Sequence, residues 1–212
     1  MTDTPKLFLY SLSLTAAHNQ ELEKLTGKKA KDIRFACIDN ATDIIKGAET
    51  WMPGIRKSLI KKGYQVETVD LRKYFGSREE LREKLRCKDV IWVCGGHTYY
   101  LRWILKESGA DTIIRDLVAA GKVYAGWSAG AIMAGPTTKF IDLMGDDPAE
   151  APEIIFDGLN LIDTVIVPHI DNSFFSEGAN KANNELVKAG FKTILLKDNQ
   201  ACIVQNDEHT II

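Results

Sequence analysis

The sequence predicts an α/β fold with a mainly parallel sheet and helices on both faces, a three-layer α/β/α arrangement. Two observations carry that expectation. Short apolar runs alternate with longer amphipathic stretches, the rhythm of strand–helix–strand units. Several of the runs are nearly continuous in β-branched or aromatic residues, as in Val90-Ile91-Trp92-Val93, which suits strands covered on both faces.

Taken in order, Leu7–Tyr10 reads as the first strand, followed by a polar helix near His18 and a strand at Ile33–Ile38. Trp51–Lys62 reads as a helix stopped by Gly63. A strand at Val66–Val69 precedes a helix at Ser77–Arg86, where Ser77 and Glu80 have capping-box spacing. Val90–Cys94 is a strand, Tyr99–Glu107 and Asp111–Ala120 are helices, and Gly121 ends the second. Strands follow at Val123–Gly126, Val165–Val167, Ile194–Leu196 and Cys202–Val204, with a helix at Ala179–Ala189 before Gly190. Asp and Glu cluster with proline between Gly145 and Gly158, which reads as a solvated surface loop, the alternative being a lid that shapes a site. No internal repeat is present, and the expectation is one α/β domain over residues 1–212.

Composition narrows the function classes. The chain has 212 residues, 45% of them apolar, and 27 basic against 29 acidic side chains give a net charge of −2. That balance offers no strong pull toward nucleic acid or an anionic membrane. A chain of this length buries roughly 70% of its unfolded surface, enough for a core without staples. No apolar stretch reaches the roughly 18 residues of a membrane span, and the polar Met1–Pro5 start lacks a signal-peptide pattern, so a cytoplasmic location is expected. Cys37, Cys87, Cys94 and Cys202 form no Cys-x-x-Cys pair and read as buried small hydrophobes in a reducing compartment.

In open α/β sheets, ligands sit beyond the carboxyl ends of the strands, so residues just after strands are the candidates for chemistry. Strand Val123-Tyr124-Ala125 runs into Gly126-Trp127-Ser128-Ala129-Gly130, a Gly-x-Ser-x-Gly turn followed by a helix of small residues. Such a turn crowds the backbone, and Gly126 and Gly130 remove side chains that would collide. Ser128 is then held out as a nucleophile, and the Ala129 N–H at the helix start can stabilise an oxyanion. After Val90–Cys94 comes Gly95-Gly96-His97, a bare backbone step whose Gly96 N–H is the candidate second donor. His97 reads as a helix cap or a pocket wall rather than a base. The spacing matches neither a Walker A loop nor a dinucleotide fingerprint, and no metal-ligand motif occurs, so chemistry without cofactor or metal is expected.

A serine hydroxyl needs a base, and the base needs a carboxylate to hold its tautomer. His18 and His209 read as surface residues, whereas His169 directly follows the strand Val165-Ile166-Val167-Pro168. Asp198, after Ile194–Lys197, is the first candidate for the acid, with Asp142 and Asp171 as competitors.

Gly126-Trp127-Ser128-Ala129-Gly130-Ala131, Gly95-Gly96-His97-Thr98, Pro168-His169 and the order Ser, His, acid together resemble the dipeptidase E (aspartyl dipeptidase) and cyanophycinase family of serine peptidases. The resemblance implies a fold similar to class I glutamine amidotransferases, with serine in place of the cysteine nucleophile. It implies Ser128 as nucleophile, His169 as base and the glycine pair as oxyanion hole. The family often has glutamate where this chain has Asp198, and asparagine where it has His97. The aspartyl dipeptidases carry an arginine, suited to a substrate carboxylate, where equal spacing here gives Asn183; Lys181 is the cation close by. The resulting expectation is a serine exopeptidase for short peptides. An esterase or amidase on the same scaffold and a non-catalytic small-molecule binding domain are the alternatives, and a homodimer is left open.

Overall fold

Strand β1 (Lys6–Tyr10) buries Leu7, Phe8, Leu9 and Tyr10 completely or nearly so, which an apolar run achieves only in the middle of a sheet covered on both faces. The computed structural model describes residues 4–206 and 208–212. Around β1 lie β2 (Arg34–Ile38), β3 (Gln65–Thr68), β4 (Val90–Val93), β5 (Val123–Trp127), β8 (Ala201–Gln205) and β9 (Glu208–Ile211), in the order β3-β2-β4-β5-β1-β8-β9. The first five are mutually parallel. β8 and β9 are antiparallel additions at one side. The carboxyl ends of β1, β4 and β5 therefore share a rim with the start of β8.

Helices α1 (Ala16–Thr26), α2 (Ala48–Lys61), α3 (Arg78–Arg86), α4 (Thr98–Glu107), α5 (Ala110–Ala119) and α6 (Ala129–Met133) flank this mostly parallel sheet. The main core runs from Leu22 of α1 through Phe35, Trp92 and Tyr124 to Val204 of β8. Among the described residues, no helix is long and apolar enough to cross a membrane.

Four local expectations need correction. β6 (Thr164–Val167) and β7 (Lys192–Leu195) do not join the large sheet; they form a separate parallel pair. They have a core of their own, in which Val165 and Val167 pack with Ala179 and Leu186 of α7 (Ser176–Lys188). Ile166, on the other face of β6, belongs to the main core. Second, the Ser77 side chain caps nothing. Its ψ of 49° departs from the extended geometry that aims a cap oxygen at the next turn. The capping box forms at α1 instead, where Thr15 Oγ1 accepts from the His18 amide at 3.3 Å and His18 Nδ1 accepts from the Thr15 amide at 3.1 Å. Third, that role takes His18 off the surface and leaves it 1% exposed. Fourth, Cys87 is exposed at the end of α3, while Cys37, Cys94 and Cys202 are buried free thiols.

Candidate active site

The turn after β5 is built by exclusion. A Cβ on Gly126 would lie 2.4 Å from the Gly130 carbonyl oxygen, and one on Gly130 would lie 2.2 Å from the Val93 carbonyl oxygen. With both absent, α6 packs directly against the strand ends and Ser128 takes φ 49° and ψ −110°. A non-glycine residue in that region stores strain, as is common at functional turns. The Ser128 amide still donates to the Tyr10 carbonyl at 3.0 Å, and its own carbonyl starts α6 by accepting from Ala131 and Ile132.

Ser128 Oγ lies 2.8 Å from His169 Nε2, and His169 Nδ1 lies 2.7 Å from Asp198 Oδ1. A carboxylate only accepts, so Nδ1 carries the ring proton and Nε2 is free to accept the serine hydrogen. His169 follows β6 with φ 66° and is 4% exposed. Phe175 packs against its ring with centroids 5.0 Å apart. Asp198 sits on the segment between β7 and β8. Burial pulls its carboxyl upward, but hydrogen bonds from His169, Asn172 and Ser11 outweigh that and hold it below its ordinary value.

Two residues outside the sequence-based set complete this arrangement. Ser11 is fully buried directly after β1. Its Oγ accepts from the His169 amide at 2.9 Å and donates toward Asp198 Oδ1 at 3.4 Å. Asn172 Nδ2 donates to Asp198 Oδ2 at 2.6 Å. Attention to strand ends could have found Ser11, because it follows Tyr10 directly. Asn172 carries no signal beyond lying three residues after His169.

The competing carboxylates lie elsewhere. Asp142 is exposed, and its Oδ1 accepts from the Tyr99 hydroxyl at 3.3 Å. Asp171 Oδ1 accepts from the Asp198 amide at 2.8 Å, so it braces the loop rather than the imidazole. His97 Nδ1 accepts from the Tyr100 amide at 3.2 Å, which caps α4.

Gly95 and Gly96 face the serine turn. A Cβ on Gly95 would meet Ser128 Cβ at 2.9 Å, and Gly96 has φ 142° with the Ala41 carbonyl oxygen 2.4 Å from where its Cβ would lie. Among the described residues, the amides of Gly96 and Ala129 donate to no protein group. A cavity of about 240 Å³ opens here, lined by Gly96, Ser128 and His169 together with apolar side chains and Asp146.

The acidic segment runs over the surface with most of its residues exposed, and it meets the cavity through Asp146. Asp146 Oδ2 accepts from the Thr98 amide at 2.7 Å, Glu153 pairs with Lys106, and the Asp157 carbonyl accepts from Arg102 Nε at 2.6 Å. These bonds fasten it along α4. Asn183 does not line the cavity, and Lys181 is paired with Glu177 on the exposed side of α7.

The family model for peptidase family S51 matches residues 7–212. The chain belongs to peptidase family S51. It is similar to an uncharacterized peptidase of Pasteurella multocida, 31% identical over 98% of this chain and 96% of that protein. A peptidase E of Nostoc is 31% identical over 73% of this chain and 58% of its own length. A crystal structure titled as a putative peptidase E from Listeria monocytogenes superposes with TM-score 0.81 at 28% identity, covering 98% of both chains. The S51 chain is thus a serine peptidase, a hydrolase, on the α/β fold expected from its sequence.

Proposed function

We propose that this S51 peptidase is an exopeptidase for short peptides, with Ser128 as nucleophile, His169 as general base and Asp198 as the acid that orients it. The hydrogen-bonded line from Ser128 Oγ through the imidazole to Asp198, at 2.8 and 2.7 Å, carries this reading. Ser128 Oγ attacks the scissile carbonyl carbon while its proton passes to His169 Nε2. The C–N bond then breaks, and the same proton goes to the leaving amine. Water, deprotonated by His169, releases the acyl group and regenerates the serine. Asp198 stabilises the imidazolium that forms in each half. The otherwise unbonded amides of Gly96 and Ala129 are the oxyanion donors, and losing one such donor costs about 3 kcal/mol of transition-state stabilisation. The small cavity, which the segment from Gly145 to Gly158 reaches through Asp146, favours chain ends over folded protein.

Ser128→Ala is expected to lower kcat on short peptides by at least about 10³-fold with the fold intact by circular dichroism. The native chain should be labelled at Ser128 by a fluorophosphonate. Full activity of the variant, or hydrolysis of esters without any peptide cleavage, would overturn the proposal.

A further inference from the structure

Resting on that peptidase reading, we propose that the cavity selects short peptides bearing a large apolar side chain and a free ammonium group, and disfavours acidic ones. The lining is the first argument. Beside Ser128, the side chains of Ile45, Trp51, Trp127, Ile132, Ile141 and Phe175 face the cavity, and among the described residues that line it none is lysine or arginine. The imidazole of His169 is engaged at both nitrogens, with Asp198 and Ser128. A substrate carboxylate entering this space loses its water and gains no cation, which is unfavourable. A leucine or phenylalanine side chain gains by the same desolvation.

Asp146 is the second argument. Among the described residues it is the one carboxylate on the lining. Its Oδ2 is occupied by the Thr98 amide at 2.7 Å, whereas Oδ1 has no hydrogen-bond partner among the described residues. A carboxylate offers about four acceptor positions, so most of its capacity faces outward from that single bond. That oxygen is open to a donor entering the cavity, and the N-terminal ammonium of a short peptide is the cationic donor every such substrate brings. The same carboxylate repels an acidic side chain.

The test is a matched set of dipeptides with Phe, Leu, Ala, Lys or Asp at either position, each also prepared N-acetylated. Phe or Leu at one position is expected to raise kcat/KM about 10- to 100-fold over Ala, with Asp at that position below Ala. N-acetylation should lower kcat/KM at least about tenfold, the scale of a lost charge-assisted hydrogen bond. Asp146→Asn keeps an oxygen for the Thr98 amide. It should raise KM for the free peptides by a similar factor, with kcat changed less than about threefold and no further loss on the acetylated ones. Ile45→Arg, a half-buried loop position, should raise the relative rate on the Asp peptides. Fastest cleavage of Asp peptides, a flat side-chain profile, or equal cleavage of acetylated peptides overturns this inference while leaving Ser128 chemistry intact. No cleavage of any peptide together with no fluorophosphonate labelling overturns the peptidase reading and this inference with it.

Discussion

The Ser11 hydroxyl holds two partners in place at once. It accepts from the buried His169 amide, which lets that residue keep a left-handed backbone, and it donates toward the carboxylate that orients the ring. Ser11→Ala leaves the buried amide unsatisfied, which costs about 1–3 kcal/mol of stability. Turnover should suffer beyond that. We expect kcat to fall roughly 10- to 100-fold with KM within about twofold, since the hydroxyl acts through His169 and touches no substrate. An unchanged kcat in a folded variant would show that the imidazole needs no such support. At this scale the sequence was informative where chemistry imposes a pattern. Ser128 sits in a five-residue motif, and His169 and Asp198 fall within three residues of strand ends. Ser11 follows a strand as well but sits in no motif, and Asn172 is a loop residue; the importance of both comes from what the fold brings next to them.

The turn joining β5 to α6 works because two glycines let backbones touch. Gly130→Ala would force a methyl group against the Val93 carbonyl and is expected to destabilise by about 3 kcal/mol. Gly54, inside α2, has nothing within 4 Å of its would-be Cβ and an ordinary helical backbone. Gly54→Ala should therefore stabilise by about 0.5–1 kcal/mol. Urea denaturation of the two variants checks both signs, and equal effects would contradict the argument. Most strands and helices could be read from periodicity because burial imposes it. The exceptions have physical reasons. β9 is exposed along its whole length and shows no apolar alternation. The capping box at α1 uses His18 in place of the Glu or Gln that the usual pattern contains. Gly63 stops α2 as expected, but the helix starts at Ala48 and so carries Pro53 inside it, where the missing N–H should have placed it near the start.

Which strands pair was the part hidden from the sequence, since apolar runs look alike whichever sheet they join. Side-chain bonds between distant segments settle part of that arrangement. At the amino ends of β2 and β4, away from the active rim, Asp89 accepts from the Arg34 amide and guanidinium and from Lys28 Nζ. Burial raises the Asp89 carboxyl, but these bonds outweigh it and hold it well below its ordinary value. A depressed carboxyl contributes stability that is fully present above the unfolded value, about 3.9, and is lost as pH falls through the lower folded value. The denaturation midpoint of the native chain should thus exceed that of Asp89→Asn near neutral pH. The gap should shrink as the medium is acidified below about pH 4, and a constant gap would refute this assignment. Ser128 hangs from the large sheet and His169 from the small one, while Asp198 lies on the strip of chain that passes between them. Its carbonyl is also gripped by the amides of Leu12 and Ser13, at 3.1 and 2.8 Å. The proton relay proposed for Ser128, His169 and Asp198 would exist only while the two sheets stay docked. A slight parting of that joint would silence the enzyme while each sheet remained whole.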